Sequence, residues 1–388
     1  MTRTIASFRE LFPVFRDMAY IDVGSRAPMP QPVFDKLEGY LRQCMLGQID
    51  KAKLFELTED TRNRFARLIN AHPEEVTFTK NISEGLNILS SSVDWKPGDS
   101  VVVCPDLEHP NNVYHWLALA QRGVTVKTVE AVHGEIPVDR MIAAMDNRTR
   151  VVSVSTVTFC PGFMTDTERL GKACRAAGVL LVVDAAQSIG ILDSDVQRLH
   201  VDVLAASTQK GLLSLYGMGF LYIRRAIAEA MTPAYLAWFS VALDSSDSHE
   251  SDFGGGKIKL MPGAKRFDLG NYNFPGLVAV HEALGLIEQV GIDAIHPYVT
   301  GLSAKLAAEL RRADIPVYGR EDAPLAHTVC VGEYGKDMPL VNRLYESLAA
   351  NNVRACVRRN MIRFTLHAYN NEDDIDKVVE VAKKTRKG

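Results

Sequence analysis

The sequence predicts an α/β fold with two lobes: a large lobe built on a mostly parallel sheet of seven strands, and a smaller α+β lobe. Short runs rich in Val, Ile and Leu recur between residues 76 and 224, and helix-like segments separate them. These runs show little polar alternation, as expected of strands that are covered on both faces. Strand, helix and strand in succession predict right-handed crossovers between parallel strands.

Seven apolar runs are interpreted as the strands of this sheet. Each is four to eight residues long, which suits a strand better than a buried helix. In chain order they are Val76–Thr79, Ser100–Cys104, Val124–Val129, Arg150–Val157, Val179–Asp184, Val201–Ser207 and Gly219–Arg224.

The clearest connecting helix lies between the fourth and fifth runs. Thr165 or Asp166 can cap its start, and Gly178 is placed to end it. Apolar residues recur between them at i, i+3, i+4 and i+7, which is the spacing of one helix face. Those residues are Leu170, Ala173, Cys174 and Ala177.

The rest of the chain predicts a loop and a second lobe. The polar, Gly-rich stretch Asp244–Lys257 is typical of a mobile surface loop. From about residue 274 the pattern is mainly helical, with short strands near Val317, Val329 and Arg363. The last helix is acidic at its start and basic at its end, which suits the helix dipole. We expect a large domain over residues 20–270 and a small domain formed by residues 1–19 and 271–388.

Composition and charge exclude several classes of protein. The 388 residues are 47% apolar and 23% charged with a net charge of -3, so neither nucleic acid nor an anionic membrane is an expected partner. No signal peptide and no membrane-spanning run is visible, which predicts a cytoplasmic protein. The six cysteines are scattered without CxxC, and neither the cysteines nor the histidines show metal-site spacing, so no metal is expected.

Asp184 and Lys210 carry the first functional hypothesis. Asp184 ends one predicted strand, and "STQK" (Ser207–Lys210) ends the next, with Lys210 26 residues after Asp184. Ligands of open α/β sheets lie beyond such strand ends. A buried carboxylate needs a partner, and a buried lysine becomes a nucleophile that can form a Schiff base. Pyridoxal 5'-phosphate (PLP) uses both groups, because it binds a lysine as an imine while an acid keeps its ring nitrogen protonated.

From "YIDVGSRAPMP" (residues 20–30) to "IRFTLHAYNNEDDID" (residues 362–376), the chain resembles fold-type I PLP-dependent enzymes of the class V aminotransferase family. This family includes cysteine desulfurases and isopenicillin N epimerase, and "DAAQSIG" and "STQKG" are the most specific matches. The resemblance implies that Lys210 forms the Schiff base, that Asp184 pairs with the pyridine nitrogen, and that Gln187 approaches the phenolic oxygen.

The segment "VTFTKNISEGLNIL" predicts a phosphate site because it runs from a strand through a turn into a helix start, where free N–H groups favour an anion. By resemblance, Ile82 offers its backbone N–H and Ser83 its hydroxyl; alternatively, Asn81 or Ser83 simply caps the helix. Resemblance also assigns phosphate contacts to further residues and implies a homodimer with shared active sites, in which Asn271 reaches the neighbouring subunit's cofactor. The further phosphate residues are Ser207, Gln209 and Asn271.

His109, in "DLEHPNN", matches the family position that stacks on the cofactor ring. A lone histidine is more often structural, but the flanking Glu108 and the downstream "NNVYHW" match the family context and favour stacking. An imidazole at this position can also act as an acid or base near neutral pH.

Arginines are the expected substrate-binding residues. The resemblance assigns the substrate carboxylate to Arg363, since the "H.YN" pattern follows it, and a guanidinium fork matches the two oxygens of a carboxylate. Arg354, Arg358 and Arg359 are rival candidates. Arg26 lies at the substrate entrance by analogy, where it either recognises an acidic group of the substrate or forms a surface ion pair.

Two departures from the family bear on the reaction. Cysteine desulfurases carry a reactive cysteine on a loop before the arginine, whereas the corresponding segment here is far shorter and Cys356 lies in a strand-like run. Phe159 replaces the asparagine that desulfurases have beside the cofactor. We therefore expect an enzyme that acts on a small α-amino acid through an external aldimine and a quinonoid, with a β-eliminating lyase of the C–S type ranked first. Epimerase and aminotransferase are the alternatives, ahead of cysteine desulfurase and a PLP-binding sensor without turnover.

Overall fold

The computed structural model describes residues 3–242 and 258–387, so the polar loop predicted at Asp244–Lys257 lies outside the described residues. α-Helices and strands alternate from residue 76 to residue 184, two more strands follow by residue 223, and helices dominate the C-terminal part. The strands are β1 (Ala19–Tyr20), β2 (Val76–Thr79), β3 (Ser100–Val103), β4 (Thr125–Thr128), β5 (Thr149–Ser155), β6 (Leu180–Asp184), β7 (Val203–Ser207), β8 (Gly219–Ile223), β9 (Thr328–Val331), β10 (Val353–Arg354), β11 (Cys356–Arg358) and β12 (Met361–Thr365). The α-helices in the described ranges are α1 (Ile5–Arg9), α2 (Gln31–Met45), α3 (Lys51–Leu68), α4 (Ile82–Ser92), α5 (Tyr114–Leu117), α6 (Val138–Ala143), α7 (Thr167–Ala177), α8 (Arg225–Ala230), α9 (Phe274–Val290), α10 (Ile292–Arg312), α11 (Pro339–Ala350) and α12 (Glu372–Lys387).

The large sheet confirms the predicted fold class. Within the described residues its seven strands lie in the order β2-β8-β7-β6-β5-β3-β4. The pairs from β7 through β6, β5 and β3 to β4 are parallel, whereas β8 runs antiparallel to both β2 and β7. All seven predicted runs are strands of this sheet, with ends that differ by up to two residues.

The sheet separates two apolar layers, because successive side chains of a strand point to opposite faces. On one face, Val152 and Val183 pack in a cluster with Leu170 of α7. On the other face, Val151 and Val182 pack in a cluster with Leu86 of α4. Burial of both faces explains why the sequence shows apolar runs without alternation.

Local signals fix the ends of the helix between β5 and β6. The Asp166 side chain accepts a hydrogen bond from the Arg169 N–H, so Asp166, rather than Thr165, caps α7. Gly178 follows the helix with a φ of 68° in the left-handed region, which a glycine adopts without strain.

The C-terminal part contains a small antiparallel sheet in the order β11-β12-β9. Strands β11 and β12 form a hairpin whose two turn residues, Arg359 and Asn360, have φ values of 49° and 63°. The strand predicted near Val317 is only a single bridge from Val317 to Val331. None of the helices in residues 3–242 and 258–387 is long and apolar enough to cross a membrane.

Candidate active site

The carboxyl ends of the central strands open into a cavity of about 580 Å³. Ser155, Asp184 and Ser207 are the last residues of β5, β6 and β7, and all three line it. Such a crevice is the usual ligand site of an open α/β sheet, and its volume suits a cofactor. Eight of the predicted site residues meet in this cavity: Ile82, Ser83, His109, Asp184, Gln187, Ser207, Gln209 and Lys210.

Asp184 is held in the floor of the cavity by the sheet. It pairs with Ser155 of β5 and Ala205 of β7 in the strand register, and its Oδ1 accepts the Ala186 N–H at 2.8 Å. Burial raises the pKa of Asp184, while this hydrogen bond and the nearby Lys210 charge oppose the rise. A cation placed against this carboxylate would be stabilised by its negative charge.

Lys210 supplies a primary amine to the same cavity. Burial lowers the pKa of Lys210 to about 8, although the Asp184 charge opposes the change. The lysine follows a segment anchored by the hydrogen bond from the Ala27 N–H to the Gln209 carbonyl at 2.9 Å. The next residue, Gly211, packs so closely that a Cβ would lie 2.1 Å from the Ile189 carbonyl oxygen, and this turn therefore requires glycine.

A second part of the cavity is suited to an anion. Asn81 caps α4, because its side chain accepts the Glu84 N–H at 2.9 Å. Ile82 and Ser83 therefore line the cavity at a helix N-terminus, where the dipole favours negative charge. Ser207 also lines this space, and its hydroxyl is buried without a hydrogen-bond partner among the described residues.

These groups fit PLP in chemical type. PLP needs a lysine amine, a carboxylate for its ring nitrogen and donors for its phosphate. The cavity contains Lys210, Asp184, the N-terminus of α4 and the unpartnered Ser207 hydroxyl. An orphaned buried hydroxyl is costly unless a ligand satisfies it, so Ser207 is the observation that favours a bound group here.

His109 and Glu108 lie on the cavity wall after β3. The His109 ring meets the Phe159 ring edge to face, with centroids 5.0 Å apart. Burial lowers the pKa of His109, and the positive charges of Lys210, Arg363 and Arg358 lower it further, so its imidazole is neutral at neutral pH.

Glu108 is a site residue that sequence reasoning used only as context for His109. Its carboxylate accepts the Ser155 N–H at 2.7 Å and the Asn112 side-chain amide at 3.1 Å. Burial raises the pKa of Glu108 to about 7, and the Asp184 charge contributes to the rise. The bond from Ser155 ties the loop that carries His109 to the end of β5, and the bond from Asn112 lies within that loop.

Arg363 lies directly behind the cavity wall and does not itself line the cavity. Its side chain is buried, with 1% of its surface exposed. Nη1 donates to the Phe159 carbonyl at 2.8 Å and Nη2 to the Ser25 hydroxyl at 3.3 Å. Arg358 does line the cavity, and its Nη2 donates to the same Ser25 hydroxyl at 3.2 Å.

Besides Arg363, two further predicted residues do not line this cavity. Asn271 is exposed and lies in a separate groove beside Gly217 and Lys80. Arg26 is exposed next to Ser25, with its carbonyl accepting the Tyr20 hydroxyl at 2.6 Å. In the described part of the chain, no group of three or more His, Cys, Asp or Glu residues is placed to hold a metal ion.

Comparison with known proteins identifies the family. The model of the family described as Aminotransferase class-V matches residues 19–378. A probable cysteine desulfurase of Methanothermobacter thermautotrophicus is 32% identical over 319 residues, which cover 80% of this chain and 77% of the relative.

Solved structures support the same fold. A cysteine desulfurase from Thermococcus onnurineus NA1 superimposes with a TM-score of 0.86 at 23% identity, covering 100% of this chain and 99% of that one. The cystine C–S lyase C-DES, in complex with its product cysteine persulfide, gives a TM-score of 0.83 at 23% identity over 96% of this chain and 99% of that one. The resemblance noted from the sequence is thus confirmed: the chain belongs to the class V aminotransferase family and is a PLP-dependent enzyme of fold type I.

Proposed function

We propose that this enzyme is a β-eliminating lyase that cleaves a C–S bond in a small α-amino acid. The observation that carries the proposal is a cavity with an amine, a buried carboxylate and a guanidinium, but with no thiol on its wall. In the described part of the chain, none of the six cysteines lines the cavity. The sulfur atom would therefore be released in a thiol product instead of being transferred to a cysteine of the protein.

The residues divide into those that hold PLP and those that act on the substrate. Lys210 would carry the cofactor through its amine, Asp184 would face the ring nitrogen, and Gln187 the phenolic oxygen. The phosphate would lie at the N-terminus of α4, which contributes Ile82 and Ser83, with Ser207 and Gln209 as further donors. When bound, PLP supplies the electron sink that stabilises negative charge at the substrate α-carbon.

Lys210 and His109 are the proposed acid–base groups. With a pKa of about 8, the amine of Lys210 is neutral in a useful fraction of molecules at physiological pH and can remove the α-proton. The neutral imidazole of His109, on the wall of the same cavity, is the proposed proton acceptor, and the ammonium that Lys210 becomes on taking the α-proton is the proposed donor to the leaving sulfur. Arg363, behind Ser25 and Phe159, is the proposed partner of the α-carboxylate.

The net reaction consumes one water molecule. An S-substituted cysteine, R–S–CH₂–CH(NH₃⁺)–COO⁻, reacts with H₂O to give pyruvate, NH₄⁺ and R–SH. The Cβ–S bond breaks with its electron pair on sulfur, the α-proton is removed, and water replaces nitrogen at the α-carbon. No external oxidant or amino acceptor is required.

The position of Cys356 disfavours a persulfide mechanism. This cysteine pairs with Arg363 in the β11–β12 hairpin, and 6% of its surface is exposed. Burial raises the pKa of Cys356, which keeps it in the unreactive thiol form. Cys160 is even more buried and packs with Cys330 and Met361.

Product analysis with the PLP-loaded enzyme tests the proposal. Incubation with S-substituted cysteines should yield pyruvate and ammonia in equal amounts without an added keto acid. Lys210→Ala should lose both this activity and the borohydride-reducible bond to PLP, whereas Cys356→Ala should retain most activity. A strict need for a keto-acid acceptor would establish an aminotransferase. Loss of the substrate's optical rotation without formation of pyruvate would establish an epimerase. Loss of turnover in folded Cys356→Ala would instead favour cysteine desulfurase.

We also propose that the enzyme is a homodimer with shared active sites. Asn271 is exposed in a groove outside its own cavity, so its side chain is free to meet another subunit's cofactor. Sedimentation of the PLP-loaded enzyme should show a dimer, and Asn271→Ala should weaken PLP binding. A fully active monomer would contradict this assembly.

A further inference from the structure

We propose that Arg358 binds a second acidic group of the substrate, so that the preferred substrates are α-amino acids whose side chain ends in an anion. This inference rests on the proposed function, because it specifies the leaving group of the same reaction. It assigns to Arg358 the recognition of a side-chain acid, which sequence analysis raised for Arg26. The structure leaves Arg26 exposed outside the cavity and places Arg358 on its wall.

The hairpin places the two guanidiniums side by side. Arg358 pairs with Met361, and Arg363 is two residues beyond Met361 on β12. Because side chains alternate along a strand, Arg358 and Arg363 project from the same face as diagonal neighbours. Their Nη2 atoms reach the same Ser25 hydroxyl, at 3.2 Å and 3.3 Å.

Neither guanidinium is neutralised by a carboxylate of the described residues. Arg358 donates only to Ser25 and, at 2.8 Å, to the carbonyl of Val357. Arg363 donates to Ser25 and the Phe159 carbonyl, and its Nε is buried with no partner in residues 3–242 and 258–387. Arg363 is fully buried and Arg358 is half-buried, and two adjacent cations in such a place are costly unless anions approach them.

The charge balance of the cavity calls for two anionic groups at these arginines. Lys210 already faces Asp184, and the proposed phosphate site is at α4 and Ser207. One α-carboxylate would neutralise only one of the two guanidiniums. A second carboxylate or a comparable acid on the substrate side chain would neutralise the other, and Arg358 is the one that already lines the cavity.

The adjacent Arg359 offers a matched control. It lies in the hairpin turn, and its guanidinium is 5.1 Å from the Tyr334 ring centroid rather than in the cavity. Arg359 has the same charge as Arg358 and is its neighbour in the chain. Arg359→Gln therefore measures any general effect of losing one positive charge near the hairpin.

Ligand pairs that differ by one charge test the inference by calorimetry on the PLP-loaded enzyme. L-Glutamate and L-glutamine have the same shape, and only glutamate has a second anion. The wild type should bind glutamate at least about tenfold more tightly, as expected for a charge-assisted contact. Arg358→Gln should bring this ratio close to one, Arg358→Lys should keep part of it, and Arg359→Gln should leave it unchanged.

Turnover of S-(2-carboxyethyl)-L-cysteine and its carbamoyl analogue separates this inference from the proposed function. If the acid has the higher kcat/KM in the wild type and this preference is lost in Arg358→Gln, the substrate class is supported. A glutamate preference without any C–S cleavage would refute the proposed reaction while supporting the role of Arg358. The inference would be overturned if the wild type bound glutamate and glutamine equally well. It would also be overturned if folded Arg358→Gln lost affinity for both ligands equally, since the arginine would then be structural or hold the α-carboxylate.

Discussion

Replacing Lys210 by methionine is expected to stabilise the cofactor-free protein at neutral pH. Methionine has nearly the length of lysine but no charge. Burial lowers the pKa of Lys210 from 10.5 to about 8, so protonation is less favourable in the folded protein than in the unfolded chain. This shift corresponds to at most about 3 kcal/mol, an upper bound because water reaches the half-buried side chain through the cavity.

The pH dependence of this difference has a defined sign. Between pH 8 and 10.5 the folded protein binds fewer protons than the unfolded chain, so its free energy of unfolding rises with pH. The destabilisation caused by Lys210 is therefore fully present below about pH 8 and is lost as the pH approaches 10.5. The advantage of Lys210→Met should be largest near pH 7 and should shrink toward pH 10.

Urea unfolding of both proteins, stripped of PLP and compared at equal concentration, measures the effect. Lys36→Met is a suitable control, because Lys36 is exposed on α2 and its replacement should change stability little. A Lys210→Met protein that is less stable than the wild type at pH 7 would refute the reasoning. So would a difference of the same size at pH 10.

Three further predictions concern the cavity wall. Ser207→Ala should weaken PLP binding about tenfold in an absorbance titration. The cofactor-free variant should be at least as stable as the wild type, because the buried hydroxyl that it loses has no partner among the described residues. Gly24→Ala should lower the melting temperature, since its Cβ would lie 2.8 Å from the Thr365 methyl and 2.9 Å from the Gln187 oxygen. Gly39→Ala is the control and should not lower it, because a Cβ at Gly39 would meet none of the described atoms within 4 Å. Burial raises the pKa of Glu108 to about 7, so the wild type should lose stability as the pH rises from about 4.5 to 7. Glu108→Gln should not show this loss, and identical pH profiles of the two proteins would contradict the prediction.

The large sheet was predictable because its signal is local and strong. The central strands are covered on both faces and rich in apolar residues, the edge strand β4 is partly exposed, and all seven appear as runs in the sequence. The direction of β8 was not predictable in the same way. Its sequence is as apolar as that of its neighbours, and only the pairing with β2 and β7 makes it antiparallel.

Short elements escaped prediction for a different reason. Strands β1 and β10 have two residues each and pair across more than 330 positions of the chain. The expected small domain already grouped residues 1–19 with the C-terminal part. Two residues carry no periodicity, however, so the strand pair itself is visible only in the folded chain. At Val317 the sequence predicted a strand that the structure does not have. This apolar β-branched residue forms a single bridge to Val331.

The candidate site was predicted in part for the same physical reasons. Asp184 and Lys210 were identifiable because polar groups at the ends of apolar runs are rare and have a cost. Arg358 was only one of several arginines in "VRRNMIR", and the feature that distinguishes it is the hairpin turn beside it. A two-residue turn at Arg359 and Asn360 places Arg358 and Arg363 on one face of the hairpin, and the turn itself is evident only from the backbone.

Unsatisfied polar groups locate the site only where several of them converge. His115 is buried, and neither of its ring nitrogens is hydrogen-bonded to a residue that the structure describes. Burial lowers its pKa to about 3, yet it packs against Trp116 away from the cavity. It is a neutral ring in an apolar layer, and a ligand is not needed to explain it. The cavity differs because an orphaned hydroxyl, an amine with a lowered pKa and the Arg358 guanidinium surround one open space, with the Arg363 guanidinium directly behind its wall. Neither guanidinium has a carboxylate partner among the described residues. Each group is unfavourable alone, and one amino acid with two acidic groups, bound beside PLP, would satisfy all of them together.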